Sequence, residues 1–441
     1  MSAPDDPGTG DGDALGRTDD VALGATDGAK TGASGAVTPS LRRDLGLFEV
    51  VVYGVGLILG AGIYAILGAA SGVAGESVPL AFLLAAVVAS FTGLSYAELA
   101  SRFPRGEGDY VYVREAFESK RLAEVVAALR VFVGVVSTAA VAIAFAGYLT
   151  GFASVPTAAA ALALVLVASA VNYWGIDLSA KLNLVFTAAE IAGLAIVIWV
   201  GARTWGSVDV FAVPSGGLGV VEATFLVFFA YLGFGSIVNV AEETEDPTRT
   251  IPLAVVLAIV ITTVLYVFVA LSAVGLVDPA TLGTSGSPLA LVAEAGGGAA
   301  VGSLVGAIAL TSTANTVLIL LVSTSRLTYG VSKSEYRSFP TVFSRIHPER
   351  RTPHLAIALV AALTVPFVLL DDLVVVAGVA NAALLIVFIA VNGALIRLRY
   401  VYPEDTSGFT APLTVGRLSV TAVLGVLTSV GLFVFYLDSL V

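Results

Sequence analysis

Three features of this sequence have the chemistry to act on a ligand. The first is Gly60-Ala61-Gly62, at the centre of the apolar run VGLILGAGIYAILGAAS, Val55 to Ser71. Glycine inside a helix costs about 1 kcal/mol relative to alanine, so two in one turn need a reason. The second is FLVFFAYLGFGSIVNVAEE, where Gly233 and Gly235 fall centrally in another apolar run. The third is a single carboxyl, Glu190, within LVFTAAEIAGLAIVIW. Where an apolar helix is interrupted, the half that starts there presents bare N–H groups and the positive end of its dipole. The half that ends there presents bare carbonyls. One break thus offers an anion site beside a cation site, which suits a zwitterion with no charged side chain at all. A carboxyl in a dry helix is expensive and marks a functional candidate; its neutral form is the favoured one there, as a proton carrier needs.

These features require a membrane to make sense. The chain is 57% hydrophobic and 12% charged, against about 25% charged in soluble domains. Eleven apolar segments recur, at 47–70, 78–97, 122–149, 154–174, 182–201, 219–240, 251–277, 299–325, 354–370, 373–396 and 414–437. Most reach the roughly 20 residues that cross about 30 Å of hydrocarbon. The fold class expected is an all-α polytopic membrane protein, with no room for a soluble enzyme domain. Basic residues set the orientation. Arg42 and Arg43, the group Arg102 to Arg121, Lys181, Arg249, the group Lys333 to Arg351, and Arg397 with Arg399 fall in every second loop. The alternate loops hold Arg203 and acids such as Asp209, Asp278, Asp371 and Asp372. This predicts a cytoplasmic N-terminus, and with eleven spans an extracellular C-terminus, in the plasma membrane.

Residues 1–40 carry seven aspartates, two basic residues and no aromatic, a composition of a disordered tail rather than a folded domain. The net charge of −11 and the excess of arginine over lysine suggest a salt-adapted, halophilic source. No cysteine excludes disulfides and thiolate metal sites. Two histidines, both in one loop at His347 and His354, argue against a histidine metal centre. No metal, cofactor or nucleic-acid partner is expected.

Inside hydrocarbon, a break is tolerated only where it faces protein or a water-filled cavity. The two glycine-bearing spans are the first and the sixth. Spans one to five and six to ten then form two halves, residues 41–203 and 219–400, and an odd number of spans per half gives them opposite topology. That is the 5+5 inverted-repeat plan of secondary transporters, whose binding site lies at such matched breaks. Close helix packing through small residues is the competing explanation for each glycine pair. Residues 411–441 supply an eleventh helix outside this core.

Four stretches carry a family resemblance: GLILGAGIY in span one, YAELASRFPRGEGDYVYVREAF after span two, FFAYLGFGSIVNVAEETEDPTRTIPLA through span six, and SRLTYGVSKSEYRSFPTVFSRIHPERRTPHLAI after span eight. In wording, order and spacing the chain resembles the amino acid–polyamine–organocation superfamily of permeases, which has the leucine-transporter-type fold. The resemblance covers residues of about 41 to 400. The family commonly has twelve spans, whereas eleven are read here; its ten-span core is complete. The resemblance implies a substrate carboxylate held by the amides of Ala61, Gly62 and Ile63 beside Gly60. It implies an amino group held by the carbonyls of Ile58 and those near Phe229 and Leu232, next to Gly233. Phe229 matches the aromatic that closes over the substrate.

Some relatives place a lysine where this chain has Glu190, replacing a sodium ion, so their coupling scheme does not transfer. Glu190 is read as a proton site. Ser312 and Thr313, in LTSTANT of span eight, are the alternative, a sodium-type site of oxygen ligands. Glu98, Glu242 and Arg326, at expected cytoplasmic span ends, are candidates for ion pairs of an inner gate. The middles of spans three, eight and ten contain no acid. A dicationic substrate would want a carboxylate partner in so dry a place, which favours a neutral amino acid. The expected function is proton-coupled secondary transport of amino acids by alternating access. Exchange, sodium symport and transporter-like sensing stay open. A channel would need rings of polar groups, and an enzyme a catalytic cluster, neither of which the sequence offers.

Overall fold

The computed structural model describes residues 45–60, 62–104, 108–175, 180–213, 217–333, 339–402 and 408–440. The acidic tail 1–40 and Ala61 lie outside them. The expected first span is two helices, α1 (Leu47–Leu59) and α2 (Gly62–Ala74), and a 3₁₀ turn at Gly75–Ser77 leads into α3 (Val78–Arg102). A short helix, α4 (Asp109–Phe117), precedes α5 (Lys120–Leu149), α6 (Thr157–Trp174) and α7 (Ala180–Gly201). The second half opens with α8 (Leu218–Val227), which passes directly into a 3₁₀ helix at Phe228–Glu243. Then come α9 (Pro247–Leu276), the short helices α10 (Pro279–Thr284) and α11 (Pro288–Gly297), and α12 (Ala299–Lys333), α13 (His354–Val368) and α14 (Leu373–Val401). A two-stranded hairpin, β1 (Thr414–Val415) with β2 (Leu418–Ser419), joins α14 to α15 (Val420–Ser439).

The chain is thus an all-α polytopic membrane protein. Each expected apolar segment overlaps helix; the eleventh, expected over 414–437, opens in the β1–β2 hairpin and becomes helical only at Val420. Among the described residues nine helical stretches are long and apolar enough to cross a membrane, α2 and α3 counting together as one stretch; α1 and α13 are shorter apolar helices.

Local chemistry sets several boundaries. Ser119, Asp372 and Ser419 accept hydrogen bonds from the amides of Leu122, Val375 and Ala422, capping α5, α14 and α15. Such caps satisfy N–H groups that a helix start leaves bare. Packing is close because small residues line the crossings. A Cβ placed on Gly93 would lie 2.6 Å from Ile259, and one on Gly134 2.1 Å from Thr324.

Two groups of helices emerge from this packing. The helices α1, α2, α3, α8, the 3₁₀ segment and α9 pack on one another; so do α5, α6, α12 and α13. α7 touches α9 of one group and α12 of the other, and α14 lies against α5 and α15.

Candidate functional site

The first break is a true interruption. Gly60 accepts the end of α1, its amide bonded to the Gly56 carbonyl at 3.1 Å, and adopts φ +22°, ψ −151°. A side chain is strained at such a φ, which is why glycine stands there. Beyond it α2 starts afresh at Gly62, and a helix end leaves its last carbonyls without intrahelical partners. A helix start leaves its first amides without intrahelical partners, here those of Gly62 and Ile63. Ile58 and Ile63 are both buried.

The second break differs from the sequence expectation. The helix does not stop at Gly233 and Gly235; the winding tightens at Phe228, five residues before Gly233, and stays 3₁₀ to Glu243. Gly233 works as a packing residue instead. A Cβ there would sit 2.2 Å from the Leu57 carbonyl oxygen and 2.7 Å from the Ile58 nitrogen. Gly62 makes the reciprocal contact, since its Cβ would lie 2.6 Å from Cα of Ala230. The two interrupted spans therefore cross at Leu57–Gly62 and Ala230–Gly233.

A single hydroxyl fastens that crossing. Tyr266 of α9, fully buried, donates to the Ile58 carbonyl at 2.7 Å; the Ala230 carbonyl lies at 3.1 Å and that of Leu59 at 3.4 Å. One proton cannot serve three carbonyls, so the spot keeps a surplus of acceptors and suits a cation such as an ammonium. Asn381 of α14, also buried, donates to the carbonyls of Phe225 at 2.7 Å and Leu226 at 3.5 Å. It thereby serves the carbonyls just before α8 changes its winding. Phe229 is 5% exposed and Leu232 is half-buried, both beside this crossing in sequence.

Glu190 lies close by through α7 and α12. It is buried, and Oε1 accepts a hydrogen bond from Ser312 Oγ at 2.5 Å. One turn away on the same face of α7, Thr187 meets Gly56 of α1, whose Cβ would lie 2.8 Å from the threonine hydroxyl. One turn from Ser312, the Thr316 hydroxyl is 3.6 Å from where a Cβ on Gly60 would be. The Tyr64 hydroxyl donates to the Glu190 backbone carbonyl at 3.2 Å, and the Tyr148 hydroxyl to that of Tyr64 at 3.1 Å. Glu190 is thus one helical turn from the first break along two separate elements. Of the sodium-type pair, Ser312 is engaged with Glu190, while Thr313 donates within its own helix to Ala309 at 2.7 Å. Among the described residues no three His, Cys, Asp or Glu side chains gather as a metal site.

Glu98 is fully buried, and its carboxylate is divided among Arg102, Arg399 and the Ala411 amide. Oε1 takes Arg102 Nη2 at 2.7 Å and Arg399 Nε at 2.8 Å; Oε2 takes Arg399 Nη2 and the amide. It clamps α3 to α14 and to the segment before α15. Glu242 and Arg326 are exposed. Sequence reasoning missed Tyr266, Asn381, Arg399 and the intramembrane Arg130. Only Arg130 carried a readable signal, as a charge inside a predicted span.

A helical membrane protein whose first and sixth apolar spans are interrupted, and cross at the interruptions, is built as a carrier. Comparison with known proteins gives the class its family. The amino acid permease family matches residues 45–439, and the chain belongs to it. It is a secondary transporter of amino acids, not an enzyme. The chain is 27% identical over 402 residues to the branched-chain amino acid permease of Bacillus subtilis, covering 85% of this chain and 84% of that one. It is 32% identical over 378 residues to an uncharacterised transporter of Mycobacterium tuberculosis, covering 82% of each. It is 31% identical to cationic amino acid transporter 9, chloroplastic, of Arabidopsis thaliana, covering 70% of this chain and 58% of that one.

Proposed function

We propose that this permease carries a neutral, aliphatic amino acid across the plasma membrane by alternating access, driven by protons that bind at Glu190. The observation that carries the reading is the Tyr266 hydroxyl, which lies within hydrogen-bonding distance of carbonyls from both interrupted spans. The substrate carboxylate sits on the amides of Ala61, Gly62 and Ile63, beside the turn at Gly60. The ammonium sits among the carbonyls of Ile58, Leu59 and Ala230, and Phe229 and Leu232 close over the side chain. Opposite orientation of the halves 41–203 and 219–400 gives the site two equivalent routes of access. The N-terminus is cytoplasmic and, with eleven spans, the C-terminus extracellular.

Proton coupling is favoured over sodium because Glu190 is a buried carboxyl, a proton-binding group, held beside the first break by the Ser312 hydroxyl. A neutral substrate is favoured because, among the described residues, those meeting at the crossing offer carbonyls, amides and the Tyr266 hydroxyl; with Glu190 given to the proton, a second positive charge would lack a partner. The named substrate class of the Bacillus relative agrees with this. The test is uptake of labelled leucine, valine and arginine into proteoliposomes, with proton and sodium gradients imposed separately. Leucine or valine should accumulate with an inward proton gradient alone. Accumulation that follows sodium, or arginine in preference to leucine, overturns the assignment.

A further inference from the structure

Arg130 stands in α5, ten residues beyond Lys120, at which that helix starts. That places it about 15 Å along the helix axis, where a charge is retained only with partners. It has two, on two other elements. Nε pairs with Asp109 Oδ2 of α4 at 2.8 Å, and Nη2 donates to Ser236 Oγ of the 3₁₀ segment at 3.3 Å. Arg130 belongs to the helix group of α5, α6, α12 and α13; Ser236 belongs to the other group. Their bond is therefore a tie across the seam that alternating access must open.

The geometry of the ion pair is unfinished. A guanidinium and a carboxylate usually pair through two parallel hydrogen bonds. Here only one carboxylate oxygen is used. Asp109 Oδ1 is buried and makes no hydrogen bond of good geometry; the donor facing the carboxylate is the buried Tyr96 hydroxyl, likewise without another partner. α4 packs on α5, the helix that carries Arg130, and on α14, so Asp109 stays with the guanidinium when the seam opens. Asp109 thus offers a fixed second acceptor beside the guanidinium.

We propose that Arg130 is a latch between the two helix groups. It holds the second half of the 3₁₀ segment through Ser236. It releases that half by turning the freed guanidinium N–H onto the second oxygen of Asp109. The exchange keeps the buried charge paired in both arrangements, so opening never exposes an unpaired arginine to hydrocarbon. The latch rests on the alternating-access reading, but on neither the substrate nor the coupling ion proposed above.

The sequence contains no cysteine, so one introduced thiol reports without background. Val238 is a suitable place: it is fully buried, and its Cγ2 would lie 3.2 Å from a Cβ on Gly108, just before α4. Val238→Cys in purified, reconstituted protein is reacted with a small maleimide, with Asn239→Cys, which is exposed, as the folding control. Adding Ser236→Ala should raise the labelling rate at position 238 about tenfold, the weight of one hydrogen bond to a charged group. Ser236→Asp, which makes a second ion pair with Arg130, should lower it below the parent. Arg130→Lys, whose compact ammonium lacks the rigid planar fork of the guanidinium, should behave as Ser236→Ala. Labelling unchanged by Ser236→Ala, or raised by Ser236→Asp, overturns the latch. If uptake follows sodium but these labelling changes are seen, the coupling assignment fails and the latch stands.

Discussion

The two interrupted spans meet at one place but are interrupted in different ways. In the first, α1 stops, Gly60 turns at positive φ, and α2 starts again at Gly62. In the second, α8 passes at Phe228 into 16 residues of 3₁₀ helix with no gap. Such a winding is rarely sustained beyond a turn or so, and a long run of it marks strain or a hinge. An abrupt break bares amides and carbonyls together. A rewound helix keeps most of its backbone bonds and changes the path of its side chains instead. The matched glycines therefore have unlike tasks: Gly60 supplies a turn, whereas Gly233 supplies room for Leu57. The comparison teaches that two halves with one plan need share only the crossing point.

The largest effect should come from filling that room. Gly233→Val puts a branched side chain where even a Cβ would lie 2.2 Å from a backbone oxygen. Transport should fall to background at normal expression, read as uptake per folded protein. By contrast Gly235→Ala meets nothing closer than 3.4 Å and should keep activity. Equal effects at the two positions would dissolve the distinction between packing and break. Gly62→Val, aimed at Ala230 Cα, should also abolish substrate binding, measured by labelled leucine on detergent-solubilised protein; retained affinity would remove the carboxylate from that amide.

Next in size is the fastening between the spans. Tyr266→Phe leaves buried carbonyls without their donor, a cost of about 1–3 kcal/mol. Affinity should drop by about 5- to 150-fold if the hydroxyl is what holds carbonyls of the two spans together ready for the ammonium. An unaltered dissociation constant would show that the two spans hold their relation without the hydroxyl. Glu190→Gln then tests which break feels the proton. Uptake by the parent should rise as external pH falls, because the carrier must load a proton outside, and the variant should lose that slope. A slope that survives the substitution assigns coupling elsewhere. The smallest effect is expected at the second break alone: Asn381→Leu, which frees the Phe225 carbonyl, should lower the melting temperature by a few degrees and affinity less than Tyr266→Phe does. A larger loss than that of Tyr266→Phe would reverse the order of importance of the two spans.

Much of this was open to reading before any coordinates. The first break is legible because its cause is local: Gly60 takes a positive φ that other residues adopt only with strain. The second was placed five residues late, since a change from α to 3₁₀ winding leaves no residue signature and Gly233 suits packing equally well. Glu190 stands out because a carboxyl in hydrocarbon is costly wherever it lies. Its partner Ser312 does not, because hydroxyls in membrane helices more often serve their own backbone, as Thr313 does. Glu98 was visible as a charge, but its partner Arg399 lies 301 residues away. Tyr266 gave no signal, one tyrosine among 14.

By itself the sequence determined that this chain crosses a membrane many times, where its first span breaks and which carboxyl is out of place. Each follows from the solvation cost of a group judged against its immediate neighbours in the chain. Only the tertiary structure decided which groups answer one another: Gly233 to Leu57, Tyr266 to both spans, Arg130 to Asp109 and Ser236. Hydrogen bonds and close contacts depend on separations of a few ångströms between residues far apart in sequence, and those separations exist only once the helices have packed.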